Sequence, residues 1–213
     1  MQHAVHSLHP VQAILFDLDG TLVHSTLDFA QIRRDIGCPE GQDVLGFVEA
    51  LPEAEKRLAE RIIQRHELTD AYATRVVDGA LELLARLHLA GVKTAIVTRN
   101  SLEATRIKLE TCGIKVAHVL TREDASPKPD PQALLLLSQR WNLAPRSCVY
   151  IGDYLYDLQA ANNADMHACL YHEKATGEAG LPAFACFADF ICHDFNHFES
   201  VLQGYLKDSA QGS

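Results

Sequence analysis

Short apolar runs alternate with amphipathic segments along most of this chain, and that alternation constrains the possible folds more than any other feature. Apolar runs of strand length are followed by segments whose apolar residues recur at helical spacing. This alternation predicts a parallel sheet with helices on both faces. The predicted strands are 13–17, 93–98, 116–120, 147–152 and 168–171, with a weaker one at 187–191. The predicted helices are 78–89, 102–112, 131–141 and 155–163.

Residues 22–77 do not follow the alternation and are predicted to be wholly helical. We expect helices at 27–36 and 52–68, with a turn through 41–50 between them. Pro52 followed by acidic residues is typical of a helix start. The sequence therefore predicts an α/β core with a doubly wound, mostly parallel sheet, formed by residues 1–21 and 78–213, and a small inserted helical segment, 22–77.

Two aspartates, Asp17 and Asp19, end the first predicted strand and precede the tight turn at Gly20. Residues i and i+2 of a strand point to one face, so both carboxylates emerge together at the carboxyl end, where open α/β sheets bind their ligands. Carboxylates this close need a cation, a shared proton or a strong donor set. A divalent cation such as Mg²⁺, which takes carboxylate and phosphate oxygens, is the simplest answer. The pattern favours metal-assisted chemistry on a phosphate, with Asp17 as candidate nucleophile.

Hydrogen-bond donors follow the next predicted strand at Thr98 and Asn100, just before a helix start. Both side chains can donate to an oxyanion, and the backbone N–H groups of the helix start add to this. Arg99 lies between them and has two open readings, contact with the substrate or with solvent. The sequence therefore predicts a phosphate-binding loop at Thr98–Asn100.

Lys128 lies between two prolines in Ser126-Pro127-Lys128-Pro129-Asp130-Pro131. Proline restricts its own backbone and that of the preceding residue, so this lysine is carried on a stiff loop. Asp130 and Pro131 are typical of an N-cap and a first helical residue. Read alone, Lys128 is an exposed loop lysine; beside the other motifs it is predicted to be a site residue.

A second acidic pair, Asp153 and Asp157, follows the apolar run that ends at Gly152. If a helix begins near Tyr154, Asp157 lies in its first turn, close to Asp153. Taken alone, Asp153 also fits the role of a helix cap. Together with Asp17, it is predicted to be a metal ligand.

The order of these four motifs resembles the haloacid dehalogenase-like (HAD) hydrolase superfamily, over about residues 12–170. The first motif is Asp17-Leu18-Asp19-Gly20-Thr21, Thr98 matches the second and Lys128 the third, and Gly152-Asp153 with Asp157 matches the fourth. The resemblance implies a Rossmann-like core and identifies residues 22–77 with the helical cap that closes over the site and selects the substrate. This cap is shorter than usual for the phosphoglycolate phosphatase-like subclass.

The resemblance implies a Mg²⁺-dependent phosphatase that hydrolyses a small phosphomonoester, similar to phosphoglycolate or a sugar phosphate, through an aspartyl-phosphate on Asp17. Asp19 is expected to carry the proton. The groups expected around the phosphoryl group are Gly20, Thr98, Arg99, Asn100 and Lys128. The candidate metal residues are Asp17, Asp19 through its main-chain carbonyl, Asp153 and Asp157, the last favoured to act through water or Lys128.

Four other functions fit parts of this pattern less well. A phosphosugar mutase would use the same Asp17 and Asp19, but needs a cap that excludes water. A haloacid dehalogenase lacks an acid at the position of Asp19. Phosphonate hydrolysis needs a desolvated cap lysine, and the one cap lysine is Lys56, in a charged stretch. A non-enzymatic binding protein would not need the complete set of chemical groups found here.

Length, composition and charge limit the size of the core, the cellular compartment and the classes of partner. The 213 residues suffice for one sizeable core. No apolar run is long enough to span a membrane, and residues 1–10 lack the apolar centre of a secretory signal, so a disordered leader is expected. Six cysteines without a CxxC pair indicate free thiols in the reducing cytoplasm. A net charge of −9 argues against nucleic acid as a partner. Without a coiled-coil seam or repeat, a monomer is expected.

Overall fold

Parallel strands form the centre of the described residues, 11–173 and 180–211, in this computed structural model. The strands of this part of the chain are β1 (Ala13–Phe16), β2 (Val23–His24), β3 (Arg75–Val76), β4 (Lys93–Val97), β5 (His118–Leu120), β6 (Cys148–Gly152), β7 (His167–Tyr171) and β8 (Phe190–Cys192). Six of them pair in the order β5-β4-β1-β6-β7-β8, all parallel. This confirms the predicted doubly wound α/β fold. The expected leader, residues 1–10, lies outside the described ranges.

Helices cover both faces of this sheet. The helices of the described chain are α1 (Phe29–Ile36), α2 (Val44–Glu49), α3 (Glu53–Ala73), α4 (Ala80–Leu89), α5 (Leu102–Cys112), α6 (Gln132–Arg140), α7 (Leu155–Asn163) and α8 (Phe198–Gln211). Along β1, Ile14 and Phe16 enter one apolar cluster with residues of α4 and α8, whereas Ala13 and Leu15 enter a second with residues of α6 and α7. Because both faces are covered, β1 is apolar throughout.

The central strand β1 positions the site. It pairs with β4 on one side and β6 on the other, with Phe16 in register with Ile96 and Ile151. From β1 the chain moves outward to β4 and β5, then returns to the opposite side of β1 for β6 to β8. Ligands bind outside the carboxyl ends of strands at such a reversal of strand order. The residues that follow β1, β4 and β6 therefore meet at one edge.

Residues 22–77 differ from the predicted all-helical segment. Short strands β2 and β3 lie near its two ends and pair antiparallel. The stretch predicted as a turn, 41–50, contains helix α2, which begins at the Asp43 cap and buries Val44 and Val48. Two-residue strands are too short to show alternation, and Gly46 lowers the helix propensity of α2. These two features were therefore missed.

The inserted helices share a small apolar cluster of their own, built on Ile32, Val44, Val48, Ala59 and Ile63. A separate contact joins α3 to α5, where Ala71 packs with Ala104 and Ile107. The division of the chain into a core and a cap at 22–77 stays a prediction.

A smaller difference from the prediction concerns β8 at the edge of the sheet, and a separate observation concerns membrane spans. The weak strand predicted at 187–191 is found at Phe190–Cys192, because a 3₁₀ turn, Ala183–Phe187, occupies its expected start. Within the described ranges, none of the helices combines the length and apolar character needed to cross a bilayer.

Candidate active site

Three carboxylates meet at the carboxyl edge of the sheet. Asp17 directly follows β1, Asp153 directly follows the neighbouring β6, and Asp157 lies in the first turn of α7. Each offers one oxygen, and these oxygens all lie within 4.8 Å of one another. The structure therefore brings together both acidic motifs that the sequence placed at strand ends.

Lys128 lies between two of these carboxylates. Its Nζ is 2.6 Å from Asp17 Oδ1 and 2.5 Å from Asp157 Oδ1. The Lys128 side chain is buried, although the residue lies on the loop between β5 and α6. The Lys128–Pro129 peptide bond in this loop is cis. The reading as an exposed loop lysine is therefore wrong, because its ammonium group is buried against Asp17 and Asp157.

Tyr150 supports this arrangement from below and was not among the predicted residues. Its hydroxyl lies 3.0 Å from the Val97 carbonyl oxygen and 3.2 Å from Asp157 Oδ1. The other oxygen of Asp157 accepts from the Tyr154 backbone N–H at 3.1 Å. Asp157 is thus bonded to Lys128, Tyr150 and backbone at once. These contacts favour a role for Asp157 in holding Lys128.

Electrostatics set the cluster apart from ordinary surface carboxylates. Burial raises the pKa of Asp17 to about 7, against the attraction of Lys128 and with the repulsion of Asp157. Burial, together with the charges of Asp17 and Asp157, raises the pKa of Asp153 to about 8. The pKa of Lys128 is raised although burial alone lowers it, because Asp157 and Asp17 hold its proton. The cluster carries more negative charge than Lys128 neutralises.

The donor set fits a hard divalent cation. Asp153 is largely buried and, among the described residues, makes no ion pair with lysine, arginine or histidine. Carboxylate oxygens this close together are the ligands that Mg²⁺ and Ca²⁺ prefer. A cation here would also reverse the pKa shifts of Asp17 and Asp153, because a bound ion becomes the largest local charge. The residues present therefore fit a cation held by Asp17 and Asp153.

Gly20 leaves room for this set. Its φ is +75°, and a Cβ at this position would lie 2.2 Å from Asp153 Oδ2. We expect Gly20→Ala to lower the free energy of unfolding by about 1–2 kcal/mol through left-handed strain, and to displace Asp153. A calorimetric titration with Mg²⁺ should therefore show weaker binding than in the unmodified protein.

Gly37→Ala is the matched control for that prediction. Gly37 has a similar φ of +71°, but a Cβ there meets nothing within 4 Å. Gly37→Ala should lower the free energy of unfolding by an amount similar to that of Gly20→Ala and should leave the Mg²⁺ affinity unchanged. Equal Mg²⁺ affinities for both variants would contradict a role for Gly20 in shaping the cation site.

Asp19 lines the same cavity as Asp17 at this edge of the sheet, but its carboxylate has different hydrogen-bond partners. Its Oδ1 accepts from Lys108 Nζ and its Oδ2 accepts from Asn100 Nδ2. Asn100 was predicted to bind the phosphoryl group, and the structure instead places its amide against Asp19. The neighbouring Thr98 is buried, and its Oγ1 accepts from the Asn100 backbone N–H at 3.2 Å.

Lys108 is a second residue that sequence reasoning missed. Its side chain is completely buried and its Nζ also lies 2.7 Å from Asp70 Oδ2. Its pKa is raised although burial lowers it, because Asp19 and Asp70 stabilise the charged form. A signal was present: Lys108 follows Ala104 and precedes Cys112 by four residues each, which places it on the buried face of α5.

Arg99, which had two open readings, contacts the inserted segment. Its Nη2 lies 2.5 Å from Asp43 Oδ1, and its guanidinium carbon lies 4.7 Å from the centre of the Tyr156 ring. Asp43 caps α2. The ion pair therefore joins the loop after β4 to the inserted helices.

The cavity over these groups measures about 370 Å³. Eight predicted site residues line its floor, namely Asp17, Asp19, Thr98, Arg99, Asn100, Lys128, Asp153 and Asp157. The inserted segment supplies a wall that is mostly apolar, with Leu27, Phe29, Ile32, Val44, Leu45 and Ile63, beside the charged Arg33, Asp43 and Glu67. The charged groups at the edge of the sheet thus share the cavity with an apolar surface that can cover a small molecule.

Comparison with known proteins agrees with this geometry. The family model for haloacid dehalogenase-like hydrolases matches residues 11–165. An N-acetylmuramic acid 6-phosphate phosphatase of Pseudomonas aeruginosa is 29% identical, over 72% of this chain and 78% of its own length. A phosphoglycolate phosphatase of Xylella fastidiosa is also 29% identical, over 73% of this chain and 77% of its own.

Solved structures show the same fold. A HAD family hydrolase from Deinococcus radiodurans, with bound phosphate and sodium, superposes with a TM-score of 0.68 at 22% identity, covering 92% of this chain and 96% of its own. The family match covers every motif from Asp17 to Asp157. The chain therefore belongs to the haloacid dehalogenase-like hydrolases, the family that its four motifs predicted.

Proposed function

We propose that this chain is a Mg²⁺-dependent phosphatase that hydrolyses a small phosphomonoester through an aspartyl-phosphate on Asp17. One observation carries the proposal: the Asp17 carboxylate lies 2.6 Å from Lys128 Nζ and within 4.8 Å of an Asp153 carboxylate oxygen, and all three residues line one cavity. Carboxylates of this kind form covalent intermediates in known enzymes. The names of the two phosphatase relatives support the same class of substrate.

In the first step an oxygen of Asp17 forms a bond to phosphorus, and the bond from phosphorus to the alcohol oxygen breaks. Asp19 as the carboxylic acid gives its proton to that leaving oxygen, so an alcohol departs. Asp19 lines the same cavity as Asp17, as proton transfer requires. Lys128 lies against Asp17, where its charge attracts the negative oxygens of the transferring group.

In the second step Asp19, now a carboxylate, takes a proton from water. The water oxygen bonds to phosphorus while the bond from phosphorus to Asp17 breaks, which releases phosphate and restores both carboxyl groups. Asp17, the main-chain carbonyl of Asp19 and Asp153 would hold Mg²⁺, which supplies positive charge to the phosphoryl oxygens when bound. Asp157 holds Lys128 in place, consistent with the favoured reading of its role.

We infer that residues 22–77 act as the cap and help to select the substrate. The apolar wall of the cavity belongs to this segment, and the Arg99–Asp43 pair fastens it to the loop after β4. A cavity of about 370 Å³ lies at the small end of ligand sites, which suits a small metabolite. Phosphoglycolate and phosphorylated sugars are the substrates that we propose first.

Asp43→Asn is expected to raise KM by about two- to fivefold with little change in kcat. Asparagine still caps α2, but it loses the ion pair with Arg99, and partly exposed pairs contribute about 1 kcal/mol or less. Steady-state kinetics measure the effect. The control is Asp28→Asn, at the cap of α1 and without an ion pair in the described residues. A fall in kcat with unchanged KM would argue against a cap-fastening role.

We also propose a cytoplasmic, monomeric enzyme whose partner is its metabolite. All six cysteines are free, which suits a reducing compartment. The net charge of −9 disfavours nucleic acid. Light scattering tests the monomer directly, and a dimer at micromolar concentration would overturn it.

The proposed function is tested by phosphate release from a panel of phosphomonoesters, with Mg²⁺ or with a chelator. The panel should hold phosphoglycolate, N-acetylmuramic acid 6-phosphate, hexose phosphates and p-nitrophenyl phosphate. We expect release that requires Mg²⁺ and ranks the substrates. If folded protein releases phosphate from none of them, the phosphatase proposal fails, and a sugar-phosphate isomerisation assay then tests the mutase.

A further inference from the structure

A buried network joins the proposed proton carrier to the place where the inserted helices leave the core. Lys108 Nζ contacts Asp19 Oδ1 on one side and Asp70 Oδ2, at 2.7 Å, on the other. The Lys108 side chain is 0% exposed and that of Asp70 is 4% exposed. Neither residue lines the cavity. Both therefore act on the site only through other residues.

Asp70 belongs to α3 of the inserted segment, and its carboxylate accepts hydrogen bonds from the residues that connect β2 to α1. Its Oδ2 accepts from the Ser25 hydroxyl at 2.9 Å. Its Oδ1 accepts from the Thr26 backbone N–H at 2.6 Å and from the Thr26 hydroxyl at 2.8 Å. Three donors and the Lys108 ammonium thus converge on one buried carboxylate. Such a carboxylate is stable only while all its partners stay in place.

Asp19 stands at the other end of the network with both oxygens engaged. Lys108 holds Oδ1 and Asn100 holds Oδ2, so two donors from different elements fix the direction of the carboxyl group. The backbone around Lys108 is fixed as well, because α5 packs against α3 through Ala104, Ile107 and Ala71. A shift of α3 would therefore pull on Lys108 and, through it, on Asp19.

We propose that Lys108 is a positioning residue that orients Asp19 for proton transfer, and that Asp70 makes this orientation depend on the seating of the inserted helices. The inference rests on the proposed function, in which Asp19 protonates the leaving oxygen. Without Lys108, the Asp19 side chain keeps the Asn100 contact alone and gains rotational freedom. Proton transfer needs a donor within hydrogen-bond reach of the leaving oxygen, so this freedom slows the first step.

Dependence on the leaving group separates positioning from simple stabilisation. A p-nitrophenolate oxygen is a weak base and departs with little help from an acid, whereas an alkoxide oxygen needs its proton. Loss of Asp19 orientation therefore slows the first step much more for an alkyl phosphate than for p-nitrophenyl phosphate, whereas the second step, in which Asp19 takes a proton from water, slows equally for both. A purely structural role for Lys108 would lower both rates by the same factor.

The test compares Lys108→Met with the unmodified protein on p-nitrophenyl phosphate and on the best alkyl phosphate of the panel. We expect the pre-steady-state rate of alcohol release from the alkyl ester to fall about 10- to 100-fold with KM within about threefold, and that of p-nitrophenol release from the aryl ester to fall less than about threefold. Lys56→Met is the matched control, because Lys56 also forms an ion pair, with Glu49, but lies outside the cavity. It should leave both rates unchanged.

Asp70→Asn keeps the inference testable if Lys108→Met does not fold, as circular dichroism would show. The asparagine oxygen can still accept from Thr26 and its NH2 group can donate to the Ser25 hydroxyl, but the side chain no longer carries the charge that attracts Lys108. We expect the same leaving-group dependence of the first step with a smaller loss, about three- to tenfold for the alkyl ester. Equal losses in the rate of the first step for both esters, in either folded variant, would overturn the inference and leave the phosphatase proposal standing. If the unmodified protein hydrolyses neither ester, both fall.

Discussion

Replacement of Asp17 by asparagine is expected to lower kcat by at least about 10⁴-fold, because the amide cannot form the bond to phosphorus on which both steps depend. The fold should survive. The amide oxygen of the introduced asparagine can still accept from Lys128, and burial already raises the pKa of the Asp17 carboxyl to about 7, so the fold does not depend on its charge. Phosphate release in the presence of Mg²⁺ is the measurement, with thermal denaturation alongside.

The matched control for Asp17→Asn is Asp165→Asn. Asp165 pairs with Arg146 on the surface, outside the cavity, and both side chains are more than half exposed. The same chemical change there should leave kcat within about twofold, since exposed ion pairs contribute little. Substantial activity in folded Asp17→Asn would remove Asp17 from the role of nucleophile.

Asp153→Asn is expected to reduce Mg²⁺-supported activity at least about 100-fold and to make the metal-free protein more stable. The loss of activity is expected because changing a residue that only supports a metal ligand already lowers metal affinity or activity about 10- to 100-fold, and changing a ligand itself should lower it further. The gain follows because partial burial of the Asp153 carboxyl, together with the repulsion that Asp17 and Asp157 exert on it, makes its charged form unfavourable. At pH 8 without metal, we expect the free energy of unfolding of the variant to exceed that of the unmodified protein by at least about 1 kcal/mol. This corresponds to a rise of roughly 2–4 °C in the melting temperature of a chain of this size.

The sign of the pH dependence can be tested in the same melts. The pKa of Asp153 is about 8 in the fold, well above the usual value for an unfolded aspartate, so between about pH 4 and pH 8 the folded state binds more protons. Its contribution to stability therefore falls as the pH rises through this window. The advantage of metal-free Asp153→Asn should shrink towards pH 5, and Mg²⁺ should raise the melting temperature of the unmodified protein alone. A variant less stable than the unmodified protein at pH 8 without Mg²⁺ would contradict this account.

The floor of the site was predictable because strand periodicity and sheet topology are local and regular. Asp17 and Asp153 follow apolar strands, and parallel strands of one sheet end at the same edge. Lys128 could be placed in the neighbourhood from its prolines, but not against Asp17 and Asp157, which lie 111 and 29 residues away in sequence. Contacts of that range depend on how loops fold over the sheet.

The network behind the site was not predictable for the same reason. Lys108 reaches Asp19 across 89 residues, and the charged neighbours Glu103, Arg106 and Glu110 are typical of an exposed helix. Its position on the buried face of α5 indicates burial, but not which carboxylates would neutralise it. Arg99 likewise had two open readings until its partner Asp43, 56 residues away, was known.

Phosphorylation of Asp17 itself tests the central claim most directly. Asp19→Asn should accumulate the intermediate with p-nitrophenyl phosphate, because the weakly basic leaving oxygen needs little acid whereas the attacking water needs the missing base. The experiment mixes this variant with substrate and Mg²⁺, quenches with acid, and maps phosphoryl groups by peptide mass spectrometry. We predict a burst of p-nitrophenol close to one equivalent of enzyme, with the phosphoryl group on Asp17. Turnover by the unmodified protein, with no burst and no phosphorylated Asp17 in either protein, would contradict the account and indicate direct attack by water.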